Sequence, residues 1–322
     1  MKILVYGFYG KGNMGDQLFI DVFHQLFPDY QLAFTDHIDC NDLIDIDAVF
    51  FGGGSFLSER PLIEDAAFVE LMASKKIFYL GVGVEASIHQ KHLQLISRAR
   101  MIVTRSPDQA DKLRLISSNV KVIPDLVYSL QNRVKLSNRK PRSILVMPNI
   151  SVVPNRLAPY WKHASWNYFK SEFCQFLDWL IENEYHLTFF PMCTGIEVSD
   201  AWAASELVSH MKNRNSSYLK YEECSSIEDI TWMVSKHEML LTQRFHGIVL
   251  AEMTRTPYIA IHHHDKLKFV QPGEGILLSY YNSSKQLYID AFATAQSMIF
   301  QQPLPLFSPI YESLAKEVAY LI

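Results

Sequence analysis

The chain has 322 residues, 48% of them hydrophobic, which excludes disorder for the whole and, at about 150 residues per domain, predicts two domains with separate cores. Thirty-four acidic residues against 30 basic ones give a net charge of −4, so there is no domain-wide cationic excess and nucleic acid is not an expected partner. Cys40, Cys174, Cys193 and Cys224 are far apart and form no C-x-x-C pair, a pattern of buried, reduced thiols and not of a zinc ribbon or disulfide framework.

The N-terminus, MKILVYGFYGKGNMGD, is a β-type run followed by glycines, without the uninterrupted apolar stretch of about 7–15 residues that a secretion signal needs. No run approaches the roughly 20 apolar residues of a membrane span. The expectation is a cytoplasmic protein, with peripheral contact at the inner face of the cell membrane left open.

In chain order, Lys2–Tyr6 reads as a buried strand and 16–26 as a helix with Leu18, Phe19, Val22, Phe23 and Leu26 on one face. Strands follow at 30–34, 48–51, 77–82, 101–103 and 120–123, separated by helical stretches near 62–74, 87–99 and 107–116. Alternation of this kind implies parallel pairing through right-handed crossovers. Periodicity fades from about 130 to 142, where QNRVKLSNRKPR carries five basic residues and reads as a connector. A second set then begins: strand 143–147, helix 168–183, strand 186–190, helix 201–212, strand 218–221, helix 226–236, strand 239–241, helix 246–254 and strand 258–261. The fold class expected is α/β, with a Rossmann-like domain over 1–135 and a second over 143–305. The tail 306–322 is expected to pack as a helix on a domain surface through Ile310, Leu314, Val318 and Leu321. Open α/β sheets place ligands at their strand C-terminal ends, so the expected active site is a cleft between the two domains.

Four segments can carry chemistry. Gly7-Phe8-Tyr9-Gly10-Lys11-Gly12-Asn13-Met14-Gly15-Asp16 joins the first strand to the first helix, where glycines let a ligand approach the main chain and the helix offers free N–H groups to an anion. Gly10, Gly12 and Gly15 also match G-x-G-x-x-G, with Asp36 where a dinucleotide site would hold its ribose. Against that reading, Gly7 to Tyr9 intervene between strand and motif, and Asp16 would cap the helix where a pyrophosphate should sit. Gly52-Gly53-Gly54 closes a strand, implying either close backbone packing or a ligand on main-chain amides, with Ser55, Ser58, Glu59 and Arg60 at the same rim. Arg105 ends a buried strand, where its fork suits a carboxylate or phosphate; the alternative is an interdomain salt bridge.

The most informative segment is Thr242-Gln243-Arg244-Phe245-His246-Gly247, a strand end leading into a helix. Arg holds an anion at any pH and His passes protons near neutrality, so the two together can bind an anion and protonate it. His262-His263-His264-Asp265-Lys266 follows another strand end; adjacent extended residues point to opposite sides, so no metal is expected there, and Lys266 or one His would line the cleft. Tyr160, Trp161, His163, Trp166 and Tyr168 read either as a sugar-stacking surface or as core.

The ordered set Gly10-x-Gly12-Asn13-x-Gly15-Asp16, Gly52-Gly53-Gly54, Arg105 in V-T-R-S, Pro124-Asp125 and Thr242-x-Arg244-Phe245-His246-Gly247 resembles the polysaccharide pyruvyl transferase family over roughly residues 1–265. The resemblance implies two Rossmann-like domains similar to the glycosyltransferase type B architecture. It further implies transfer of the pyruvyl carbons of phosphoenolpyruvate onto two hydroxyls of a sugar in a surface-polysaccharide precursor, leaving a cyclic ketal and phosphate. On that basis His246 is the expected acid. Arg105, Arg244, Phe245, Gly10, Gly12, Asn13 and Gly15 are expected to bind the donor, while Asp16, Gly52, Gly53, Gly54, Glu85 and Lys266 face the acceptor or cleft, with Asp16 or Glu85 as base. The chain departs from the family pattern at Ser106, where an acidic residue is common, and after Gly81-Val82-Gly83, where a Pro is common. Phosphoenolpyruvate and a sugar or lipid-linked oligosaccharide are the expected partners, with no cofactor and no metal. Three other readings stay open: a nucleotide-sugar glycosyltransferase of the same architecture, an NAD-binding oxidoreductase using Asp36, and a non-catalytic sugar-binding module.

Overall fold

Lys2–Tyr6 is strand β1, and its Ile3, Leu4 and Val5 are all buried because helices cover both faces of the sheet it belongs to. The computed structural model describes residues 1–39, 41–54, 57, 70–72, 74–84, 87–195, 199–217, 219–222, 226–263, 275–298 and 308–322. The chain forms two units, Met1–Asn132 with Leu306–Ile322, and Arg133–Pro305.

The first unit continues with α1 (Met14–Leu26), β2 (Gln31–Thr35), β3 (Ala48–Gly52), β4 (Lys76–Val82), α2 (Gln90–Ile96), β5 (Met101–Thr104), α3 (Pro107–Arg114) and β6 (Val120–Val122). All its strands are parallel, in the order β2-β1-β3-β4-β5-β6. The two-residue period of β3 assigns its aromatics to opposite faces. Phe50 meets α1, with ring centroids 6.0 Å from Phe23 and 5.1 Å from Phe27, whereas Phe51 stacks on Tyr79 of β4 at 4.7 Å in a cluster that includes Leu95 and Ile96 of α2. Each such ring withdrawn from water contributes roughly 1.5–3 kcal/mol. The helix expected near 62–74 falls largely outside the described residues, as do Cys40 and Cys224.

The second unit runs β7 (Lys140–Met147), α4 (Tyr160–Glu182), β8 (His186–Phe189), α5 (Asp200–His210), β9 (Leu219–Tyr221), α6 (Ile227–Lys236), β10 (His237–Thr242), α7 (Phe245–Thr254), β11 (Tyr258–His262), β12 (Gly275–Ser279) and α8 (Lys285–Ser297). Its parallel order, β12-β11-β10-β7-β8-β9, is the doubly wound Rossmann arrangement. Strand β12 and helix α8 lie between the expected strand 258–261 and the expected tail helix, where no element is expected from the sequence. Helix α4 begins at Tyr160, eight residues ahead of the expected start at Tyr168, because Pro159, following a turn over 155–158, occupies the cap position.

The C-terminal helix α9 (Ser308–Leu321) belongs to the first unit, where the Tyr311 hydroxyl donates to the Asp125 carbonyl at 2.8 Å and Lys121 pairs with Glu317. Its buried residues are Tyr311, Leu314 and Val318, whereas Ile310 is 41% exposed, so the packed face is turned one residue from the expected one. Among the described residues no helix is long and apolar enough to cross a membrane.

Candidate active site

In each sheet the chain first builds outward to one side and then reverses: between β1 and β3 in the first unit, between β7 and β10 in the second. At such a switch point the connections leave in opposite directions and open a crevice at the strand C-terminal ends, where doubly wound sheets bind ligands. Both glycine loops start at the first switch point, and the Arg-Phe-His segment starts at the second.

In the first unit the two loops are tied together. The Tyr9 hydroxyl, nearly buried, donates to the Gly52 carbonyl at 2.7 Å, and burial followed by the nearby Asp16 carboxylate pushes its pKa well above the ordinary phenol value. Gly53 and Gly54 have φ of +77° and +80°, a left-handed turn that L side chains rarely adopt, and a Cβ on Gly54 would lie 3.6 Å from Asp16 Oδ1. Gly10 and Gly12 also have positive φ. The cap of α1 is Asn13 and not Asp16: Asn13 Oδ1 accepts from the Gly15 amide at 3.1 Å, and Asn13 Nδ2 donates to Asp16 Oδ2 at 2.6 Å. Asp16, 6% exposed, thus sits within the first turn, and its charge compensates the helix N-terminus that an incoming anion would otherwise use. Asp36 pairs with Lys11 at 2.6 Å, and that hydrogen bond is the main cause of its lowered pKa. A ribose at Asp36 would have to compete with the ammonium. Glu85, Ser55, Ser58, Glu59 and Arg60 lie outside the described residues.

Arg105 stands at the end of β5, away from that switch point. Its Nη1 donates to Asp125 Oδ2 at 2.8 Å, with side chains 8% and 2% exposed, and Asp125 Oδ1 accepts from the Val127 amide at 3.0 Å. This salt bridge joins two of the sequence motifs, V-T-R-S and Pro124-Asp125, within one unit.

In the second unit Gln243 extends β10 by donating its amide to the Met147 carbonyl at 3.0 Å, and its Oε1 accepts from the Asn149 amide at 3.0 Å, locking the ends of β7 and β10 together. Thr242 Oγ1 accepts from the Arg244 amide at 3.0 Å, turning the chain so that Arg244, in extended conformation, becomes the cap residue of α7. The Arg244 guanidinium meets Asp200 edge to edge, Nε to Oδ2 at 2.9 Å and Nη2 to Oδ1. Asp200 is fully buried at the start of α5, and its oxygens also accept from the Ile150 amide at 2.9 Å and the Cys193 amide at 3.0 Å. Four donors on one carboxylate are what a buried ion pair requires to offset its desolvation. Two N–H groups of the Arg fork are used this way, and the plane of the other three is fixed by the first two.

His246 lies in the first turn of α7, half-buried, with its ring edge-on to Phe245 at 5.3 Å and 85°. Gly247 follows because a Cβ there would meet Thr242 Oγ1 at 2.3 Å and Met147 Sδ at 3.1 Å. Arg244, Phe245 and His246 therefore come together on one rigid strand-to-helix turn. His263 Nε2 lies 3.1 Å from Ser151 Oγ, while His264, Asp265 and Lys266 lie outside the described residues. Sequence reading missed Asp200. Its one local signal, an acidic residue after Ser199 at a helix start, is indistinguishable from an ordinary first-turn carboxylate 44 residues from its partner.

Two parallel doubly wound units in succession are the glycosyltransferase type B-like architecture. In fold the chain is similar to UDP-GlcNAc 2-epimerase from Methanocaldococcus jannaschii, solved with UDP-GlcNAc and UDP (TM-score 0.62, 10% identity, covering 99% of this chain and 100% of that one). It is likewise similar to S. aureus MnaA solved with UDP (TM-score 0.62, 12% identity, 99% and 94% covered) and to Anabaena Alr3699/HepE solved with UDP and glucose (TM-score 0.53, 12% identity, 100% and 97% covered). Among curated proteins none matches the chain in sequence. The polysaccharide pyruvyl transferase family model matches residues 13–265, and the chain belongs to that family.

Proposed function

We propose that the chain transfers the pyruvyl group of phosphoenolpyruvate to two hydroxyls of a sugar in a surface-polysaccharide precursor, releasing phosphate. The observation that carries this reading is the Arg244–His246 turn at the β7/β10 switch point in a chain of this family, with Arg244 clamped by Asp200. A donor with a carboxylate and a phosphate needs a cation of fixed orientation, and the guanidinium edge beyond Asp200 supplies one. Arg105 is already engaged with Asp125, so the proposal does not depend on it.

His246, as imidazolium, protonates the methylene carbon of the donor, and the C=C electron pair forms the new C–H bond. The adjacent carbon becomes oxocarbenium-like and takes a sugar hydroxyl, whose proton leaves as the C–O bond forms. Phosphate then departs with its C–O electron pair, the second hydroxyl adds to the same carbon to close the ketal, and of the two hydroxyl protons one leaves with the phosphate and the other restores the His246 imidazolium. The balance is one phosphoenolpyruvate plus one diol giving one ketal and one phosphate, with neither redox step nor cofactor. The test is incubation of the full chain with 14C-phosphoenolpyruvate and bacterial polysaccharide precursors. Acid-labile label on the glycan with equimolar phosphate is expected, and absence of both with every acceptor would overturn the reading.

A further inference from the structure

In the second unit, beside the Arg244 corner, is a cavity of about 190 Å³ whose walls include Trp161, Tyr281, Asn155, Lys162, Ser151 and His263. These residues come from the segment after β7, the first turn of α4 and the chain just past β11 and β12, all at the C-terminal edge of the sheet. Trp161 is 55% exposed and Tyr281 49%, whereas Trp166 and Phe169 of the same helix as Trp161 are buried in the core. Tyr281 is braced in place. Its ring stands edge-on to Tyr280 at 5.1 Å and 89°, and Tyr280 is itself buried and stacked on Phe169 at 4.6 Å. The bond between Ser151 and His263 closes the rim across the end of β10, and Lys162 Nζ lies 5.6 Å from the Trp161 ring centroid.

Two exposed aromatic rings, one of them braced, among a hydroxyl, an amide and an ammonium suit a ligand with one apolar face and a rim of hydroxyls, which is the character of a sugar ring. Position adds a second argument. Ser151 follows Ile150, whose amide holds Asp200, and Asp200 holds Arg244, so the cavity begins one residue from the clamp of the anion-binding arginine. We infer that this cavity is a subsite for a sugar ring of the acceptor saccharide, adjoining the place where the ketal forms. The inference rests on the function proposed above for what the neighbouring ring undergoes, but the binding itself needs no donor.

The test is a glycan array of bacterial surface oligosaccharides and polysaccharides probed with labelled full-length chain without phosphoenolpyruvate. Wild type is expected to bind a subset of spots. Trp161→Ala and Tyr281→Ala should each weaken those spots at least tenfold while unfolding at wild-type temperature, because both side chains are half in solvent; Trp161→Phe should retain most of the signal. Equal binding by wild type and both alanine variants overturns the inference, as does a wild type that binds no spot. So does uridine that displaces wild-type signal in a Trp161-dependent way, which would assign the cavity to a nucleobase. The two proposals fail separately: a wild type that binds glycans through Trp161 yet releases no phosphate from phosphoenolpyruvate sinks only the reaction, and intact phosphate release with unaltered binding in the variants sinks only the subsite.

Discussion

Arg244 and Asp200 meet edge to edge at the β7/β10 switch point, with the carboxylate fully buried and shared among two guanidinium N–H groups and two backbone amides. The pair couples the Arg244 guanidinium on the α7 turn to the start of α5, so changing the carboxylate affects orientation and stability together. Asp200→Asn places an N–H₂ group where only acceptors fit and leaves the guanidinium uncompensated. Removing one partner of a buried pair costs about 3–5 kcal/mol, which should appear as a large drop in the unfolding midpoint. Under the proposed reaction, KM for phosphoenolpyruvate in the surviving folded fraction should rise more than kcat falls. An unchanged midpoint together with unchanged KM would show that the clamp is dispensable.

His246→Gln keeps a side chain of similar reach but cannot deliver a proton as an imidazolium does. Under the proposed reaction, phosphate release should slow by about 10²–10⁴, the usual contribution of a positioned general acid, with KM for phosphoenolpyruvate little changed. Running the wild-type protein in D₂O checks the same step, because the proposed reaction places deuterium in the new methyl group. A variant with wild-type kcat would remove His246 from the mechanism.

Gly247→Ala tests whether the turn tolerates any side chain. The added Cβ would lie 2.3 Å from Thr242 Oγ1, the atom that also receives the Arg244 amide. Overpacking of this kind costs about 1–3 kcal/mol, and it is relieved by rotation of the Thr242 side chain, which gives up the Arg244 amide, or by α7 moving away from β10 with His246. Urea unfolding should show the loss, and activity should fall further than the loss of folded protein accounts for.

The strands were legible because parallel sheets buried on both faces leave unbroken apolar runs such as KILVY and AVFFG, and the glycine loops and the Arg-Phe-His turn were legible because they end such runs. What stayed hidden depended on partners far away in sequence. Nothing local in Ser199-Asp200 points to Arg244, and nothing in Gly10-x-Gly12-Asn13 says that Asn13 rather than Asp16 takes the cap, since both residue types cap well. The α4 start was obscured because its exposed Tyr160, Trp161 and Tyr168 break the apolar stripe that marks a packed helix. Those exposed aromatics are the same feature that lines the proposed saccharide subsite.

His237 provides a prediction that is independent of any ligand. It opens β10, 3% exposed, with Nδ1 at 2.7 Å from the Met233 carbonyl and Nε2 at 3.1 Å from Thr188 Oγ1. Burial lowers its pKa to about 4, against an ordinary imidazole value of about 6.5 in the unfolded chain. Between those two values the unfolded state binds the proton and the folded state does not, so stability rises with pH in that window and is lost as pH falls from about 6.5 to about 4. The shift corresponds to about 3 kcal/mol at most, borne by the second unit. Unfolding free energies of wild type and His237→Gln, measured by urea titration from pH 7.5 to 4, should converge as the pH drops, because the variant lacks the titrating ring and other groups cancel in the difference. A constant difference across that range would show that the ring is protonated in the folded protein without penalty.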